Sequence, residues 1–262
     1  MNQQLPKRLL VFLVSLLVLA GVLSATTPQA AAANPAPVQV FYLTEPEADM
    51  LPAMKIISST AASPMVTKIS IAISQNNTIV YYDHWENGFV ADIANPTPGQ
   101  IYSSSNTSGV QIWGNGKAAD GCAPALQTGS VTCTDANDKL NAGDVIILSD
   151  SAIPVPRGTS IHWDGKDKIA ASKAVAVSRS LWASGSNSLF AWAMTHYPTS
   201  DWGTLYTAPV GCNTSGMDDM FEYTAFSITA AYNNTRIQVD PEGDGTFQGT
   251  VTLQEGRTYF ID

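Results

Sequence analysis

Residues 70–88 read SIAISQNNTIVYYDHWENG, and residues 227–245 read SITAAYNNTRIQVDPEGDG. Laid one on the other they need no gap. Ser70, Ile71, Asn76, Asn77, Thr78, Asp83 and Gly88 fall on Ser227, Ile228, Asn233, Asn234, Thr235, Asp240 and Gly245. What recurs is backbone equipment: two β-rich runs around an Asn-Asn-Thr turn, then an Asp and a Gly. Asn tolerates the left-handed conformation that tight turns demand, and Asp and Gly suit the loop that closes the second run. The stretch therefore reads as a β-hairpin with its connecting loop. His84, Trp85 and Glu86 do not recur, because Pro241, Glu242 and Gly243 stand in their places. The shared landmarks mark scaffold, and the side chains between them are incidental to it. The same register sets Gly99 and Tyr102 on Gly256 and Tyr259. A second recurrence, LNAGDVIILSD (140–150) against LQEGRTYFID (253–262), has a different offset. Either one match is chance or the first unit carries a long insertion, and the decorated loop 114–139 favours the insertion.

Outward from this repeat the chain is a series of short strands. Candidates are 38–43, 68–74, 78–83, 109–113, 144–149, 159–164, 173–182, 189–195, 204–210, 225–232, 235–240, 249–253 and 258–262, with Gly, Pro, Asn and Asp in the gaps. Helical periodicity is almost absent. Segment 47–60 could form a turn or two, but Pro52 interrupts it. Many short strands at this spacing predict an all-β fold of antiparallel, sandwich-like tandem units, with a propeller of repeated blades as the alternative. The expected organisation is a leader over 1–33, a first β domain over 34–215 carrying the inserted loop 114–139, and a truncated second β unit over 216–262.

The leader reading rests on Lys7 and Arg8, the apolar run Leu9 to Leu23 and the small residues ending at Ala31, Ala32 and Ala33. A basic start, a short apolar core and an Ala-x-Ala site are the marks of a secretory signal peptide. The run is short for a membrane span, so no membrane insertion is expected once the signal is removed, and the chain is expected to be secreted or at the cell surface. The formal net charge is −9, and loss of the leader's two basic residues deepens it. That balance excludes nucleic acid as a partner, since binding it needs Lys and Arg to displace counterions. An oxidising compartment favours a disulfide between Cys122 and Cys133, which leaves Cys212 over.

Several residues offer chemistry. His84, His162 and His196 each sit beside an acid or an aromatic, and an acid can orient a His as a general base. Successive strand residues point to opposite faces, however, so these read as strand-end histidines resting on aromatics. Asp83 with Glu86, or Asp164 with Asp167, could serve glycoside hydrolysis only at a fixed gap across a sugar. Asp240, Glu242 and Asp244 are the candidates for a structural calcium, although the ordered spacing of a calcium loop is missing. Trp85 and Trp163 are the candidates for stacking on a ligand. No catalytic residue and no other cofactor is expected.

Three stretches, DKIAASKAVAVSRS (167–180), DWGTLYTAPV (201–210) and AAYNNTRIQVDPEGDGTFQGTVTLQEGRTYFID (230–262), carry a resemblance. Lys173, Val175, Ala176 and Val177, the corner of Trp202, Gly203 and Tyr206, and Leu253, Gly256 and Tyr259 resemble the N-terminal domain family of IgG Fc-binding protein. The likeness spans residues 68–262, broken by the loop around 114–139. It implies a non-catalytic exported surface module, of the kind found in bacterial surface-protein relatives. Such a module mediates adhesion, binds an extracellular protein or glycoprotein, or builds a surface layer. It carries over no binding residue. The alternative is a carbohydrate-binding or glycoside-active domain using loop Trp and acids.

Overall fold

The computed structural model of the chain describes residues 33–102, 109–114, 138–185, 191–207 and 225–261. Met1–Asn34 forms one unit and Pro35–Asp262 another. The leader up to residue 32, the three cysteines, most of the loop 114–139 and the expected domain boundary near 215 lie outside the described residues.

The expectation of an antiparallel all-β fold holds. One four-stranded sheet runs β1 (Gln39–Tyr42), β6 (Lys168–Ala171), β3 (Val80–Asp83), β4 (Val110–Trp113). A second runs β5 (Val145–Ile153), β2 (Ala62–Ile73), β7 (Val175–Ser184), β8 (Ala191–His196). All pairings within them are antiparallel. Side chains from both sheets meet in one core: Phe41, Val80, Tyr82, Trp113 and Ile169 from the first, and Ile69, Ile71, Ile146, Leu148 and Val177 from the second. This is the sandwich arrangement, in which two apolar faces bury each other. β3 is buried along its whole length, because Val90, Ile93 and Ala94 cover the other face of its sheet against Tyr81 and Ile112.

Among the described residues one α-helix interrupts the β pattern. α1 (Glu47–Ile57) holds Pro52 inside it, where the sequence suggests a turn or two at most. Pro52 is exposed, while Met50, Leu51 and Met54 are buried against Met65, Ile153 and Leu181. Packing of that apolar stripe offsets the hydrogen bond that proline cannot donate. Among the described residues no helix is long and apolar enough to cross a membrane.

The Asn-Asn-Thr turn corrects the hairpin reading. β2 pairs with β5 and β7, whereas β3 pairs with β4 and β6. The turn at 74–78 therefore carries the chain from one sheet to the other, as an arch. A second crossing segment, 140–144, lies against it. Ile73 N donates to Asp144 O at 2.9 Å, Gly143 N to Ile73 O at 2.9 Å and Thr78 N to Leu140 O at 3.1 Å. Asn76 Oδ1 accepts from Ala142 N at 3.0 Å, and Thr78 Oγ1 donates to Gln75 O at 2.7 Å.

The C-terminal strands β9 (Phe226–Thr229), β10 (Thr235–Val239), β11 (Gln248–Leu253) and β12 (Thr258–Ile261) rebuild this device. β9 pairs with β12 and β10 with β11. Ala230 N donates to Arg257 O at 3.0 Å and Gly256 N to Ala230 O at 2.8 Å. Asn233 Oδ1 accepts from Glu255 N at 3.1 Å, and Thr235 Oγ1 donates to Tyr232 O at 2.6 Å. Asn77 and Asn234 are both left-handed, at φ 56 and 61. Both recurrences read from the sequence are thus one doubled structure, and the counterpart of Gly256 (φ 68) is Gly143 (φ 94). Gly99 and Tyr102 are not the partners of Gly256 and Tyr259, since Ile228 stands opposite Tyr259 as Ile71 stands opposite Ile146. The two offsets differ because the first copy is lengthened twice, between β3 and β4 and again after Trp113. Gly114 N donates to Asp138 Oδ2 at 2.8 Å where the second excursion leaves and returns.

The expected strand 159–164 is irregular, and β6, which the pattern reading passed over, is a strand. Residues 204–207 of the expected strand 204–210 form none.

Candidate functional site

The first lengthening brings chemistry together. β3 and β6 run antiparallel with Asp83 opposite Lys168, so residues just after β3 meet residues just before β6. His84, Trp85 and Glu86 come from one side and Asp164 and Asp167 from the other. Arg157 joins them.

Asp167 is wholly buried. Tyr82 Oη donates to its Oδ2 at 2.6 Å and Trp85 N to its Oδ1 at 3.2 Å. Asp164, also wholly buried, accepts from Trp85 Nε1 at 3.0 Å. Arg157 bridges the acids: its Nε lies 2.5 Å from Asp164 Oδ2 and its Nη2 2.7 Å from Glu86 Oε1. His84 is wholly buried among Tyr82, Trp163 and Tyr102, with ring centroids 5.1, 4.9 and 5.8 Å away. Its Nδ1 lies 3.4 Å from Asp167 Oδ2. Neither ring nitrogen has a hydrogen bond of ordinary geometry, and Glu86 Oε2 is likewise buried without one.

Burial dominates the electrostatics. It pushes Asp164 up, with the neighbouring Asp167 as the next cause, and holds Asp167 well above the carboxylate range. It lowers His84 to about 4, against the opposing pull of Glu86, Asp83 and the His162 backbone. Taking a charge out of water disfavours the charged form unless a counter-charge replaces the lost hydration. Asp83 accepts from Val90 N at 2.7 Å and is raised to about 6, again chiefly by burial.

Trp163 and Trp85 wall the cluster, and the remaining candidates lie on other parts of the fold. Trp163 packs on the main core. Trp85 is half-buried, with Lys166 Nζ 4.6 Å from its ring centroid. Its rim lines a cavity of about 230 Å³ beside Lys166, Glu255 and Arg257. Asp240 spends its carboxylate on a hairpin tip: Oδ1 accepts from Gly243 N and Asp244 N, and Oδ2 from Gly245 N. Glu242 and Asp244 are exposed on the same tip. The His162 side chain turns to Asp150, with Nδ1 2.7 Å from Oδ2, and His196 is buried near the end of β8.

Sequence reading passes over Arg157, which no local pattern marks, and the buried pair of Arg179 with Glu47. Arg179 Nη2 donates to Glu47 Oε1, Nη1 to the Thr44 and Glu45 carbonyls at 2.9 and 2.7 Å, and Nε to Thr67 Oγ1 at 3.1 Å. A signal for this pair exists: Val175, Val177 and Leu181 set the inward parity of β7, and Arg179 falls on it.

No family model, no curated protein and no solved structure matches the chain.

Proposed function

We propose that the chain is a non-catalytic exported β module, secreted or held at the cell surface, that works through contact with an extracellular protein or glycoprotein or within a surface layer. The observation that carries this reading is the enclosure of the cluster around His84. His84, Asp164 and Asp167 are all wholly buried, so none of them presents a reacting atom at the surface. Tyr197, Leu205, Tyr206 and Tyr232, by contrast, are exposed, and Tyr is among the side chains best suited to protein contacts. The resemblance of the Lys173–Val177 strand and the Trp202 corner to a family of surface modules supports the same reading. In that corner Trp202 Nε1 donates to Tyr197 O at 3.0 Å and Gly203 N to Tyr206 Oη at 2.8 Å.

Fractionation of the producing cells, with protease added to intact cells, tests it. The expected result is a leader-free chain outside the cytoplasmic membrane, and cytoplasmic retention of the intact chain contradicts it. On a glycan array no saturable binding is expected. Binding that disappears on Trp85→Ala or Trp163→Ala replaces this reading with carbohydrate recognition.

A further inference from the structure

The loop between β3 and β4 leaves a buried donor set without its acceptor. One ligand atom each from His84, Glu86 and Asp167 lies within 4.8 Å of the others. Donors on a single zinc ion, at bond lengths of about 2.0–2.2 Å, stand about 3.4 Å apart. A contraction of about 1–1.5 Å therefore closes the set around one ion.

Three independent features point to a cation there. The His84 side chain is 1% exposed and neither ring nitrogen makes a hydrogen bond of ordinary geometry, Nδ1 standing 3.4 Å from Asp167 Oδ2, while Glu86 Oε2 is a second buried orphan at the same place. Buried polar atoms without partners are rare in native structures and call for an explanation. Charge is the second feature: among the described residues Arg157 ion-pairs with Glu86 and Asp164, while the ion-pair partner of Asp167 is the His84 ring, so a divalent ion, binding with release of the acids' protons, supplies the missing counter-charge. The third is orientation. Tyr82 Oη and Trp85 N fix Asp167, and Arg157 occupies Glu86 Oε1, turning Oε2 free. Metal-ligating carboxylates are usually held by outer hydrogen bonds of this kind.

We infer that His84, Glu86 and Asp167 bind one divalent transition-metal ion of the zinc type, which locks the β3–β4 loop onto the start of β6. An imidazole nitrogen with two carboxylates suits zinc and its neighbours. Calcium wants six to eight oxygens and is not the expected ion. The site belongs to the first arch alone, since Pro241, Glu242 and Gly243 replace the ligand segment in the second. Its role is structural and separate from the proposed surface contacts.

The test uses the full chain, stripped with a chelator and titrated with zinc chloride by calorimetry, with metal content counted by mass spectrometry. One zinc per chain is expected, with calcium failing to displace it at about a hundredfold excess. Glu86→Gln, nearly isosteric, and His84→Asn are each expected to weaken uptake about tenfold or more, whereas His162→Asn leaves it unchanged. X-ray absorption on the wild-type zinc form is expected to show imidazole nitrogen and carboxylate oxygen around the ion, a readout that needs no variant. No zinc uptake by folded wild-type chain overturns the inference. So do uptake indifferent to both ligand variants, loss on His162→Asn, displacement by calcium, and a sulfur ligand shell from the cysteines.

Discussion

Arg179 shows how a single residue can be legible and still be missed. Its place on the inward parity of β7 is visible in VAVSRSLW, but its partner Glu47 lies in α1, far off in sequence. Removing one member of a buried pair strands the other charge, which costs about 3–5 kcal/mol. Urea unfolding of Arg179→Met is expected to show a loss of that size, with part recovered when Glu47→Gln is added. A loss under about 1 kcal/mol contradicts the buried pairing. His196 yields a pH prediction. Burial, helped by the charge of Arg179, lowers it to about 3, below its unfolded value of 6.5. Above pH 6.5 the ring is neutral in both states. Between 6.5 and about 3 only the unfolded chain takes up the proton, so stability falls as pH falls through that window. Relative to His196→Phe, the wild-type chain is expected to lose up to about 1.4 kcal/mol per pH unit there. Parallel stability curves for the two proteins contradict it.

At the scale of elements, the repeat is the feature that the sequence displays best and the pairing is the feature it hides. Alternation marks β2 and β3 as extended, and two asparagines mark the bend between them. Neither says whether the strands pair with each other or with strands distant in the chain, because register is settled by which faces are buried. Each strand found its partners elsewhere, so the bend became an arch. The same limit explains other differences. β6 is only four residues long and shows no alternation. Residues 159–164 have the composition of a strand, yet His162 turns to Asp150 and Trp163 into the core. α1 survives Pro52 because packing outweighs local propensity. The arch predicts a paired result. Asn77→Val and Asn234→Val place a β-branched side chain at a left-handed position and are each expected to cost about 1–2 kcal/mol. The Gly substitutions at both sites stay within about 0.5 kcal/mol. Equal tolerance of Val and Gly, read from thermal unfolding, contradicts the doubled arch.

At the scale of the whole molecule, the second arch is tied to the first sandwich at Glu255. Tyr42 Oη in β1 donates to Glu255 Oε1 at 2.5 Å and Lys168 Nζ in β6 at 2.8 Å. Thr258 Oγ1 reaches Asp49 Oδ2 of α1 at 3.2 Å. Glu255→Ala is expected to lower stability by about 1–2 kcal/mol. It should also speed amide exchange at Ala230 and Gly256 while leaving Ile73 and Gly143 protected; uniform acceleration contradicts that division. The buried cluster is the part of the molecule that sequence could not assemble. The run DHWENG announces chemistry, but Asp164 and Asp167 reach it through the β3–β6 pairing and Arg157 from the segment after β5. Local reading, with strand neighbours facing apart, therefore predicts dispersal where the fold produces convergence. What the fold then does with that convergence is to close it. The direct test is carbethoxylation of the native full chain, with modified histidines mapped by mass spectrometry over time. His162, on a partly open edge, is expected to react first, with His84 and His196 protected until the chain unfolds. Modification of His84 as fast as His162 under native conditions would mean an accessible site, and would contradict the enclosed, non-catalytic reading.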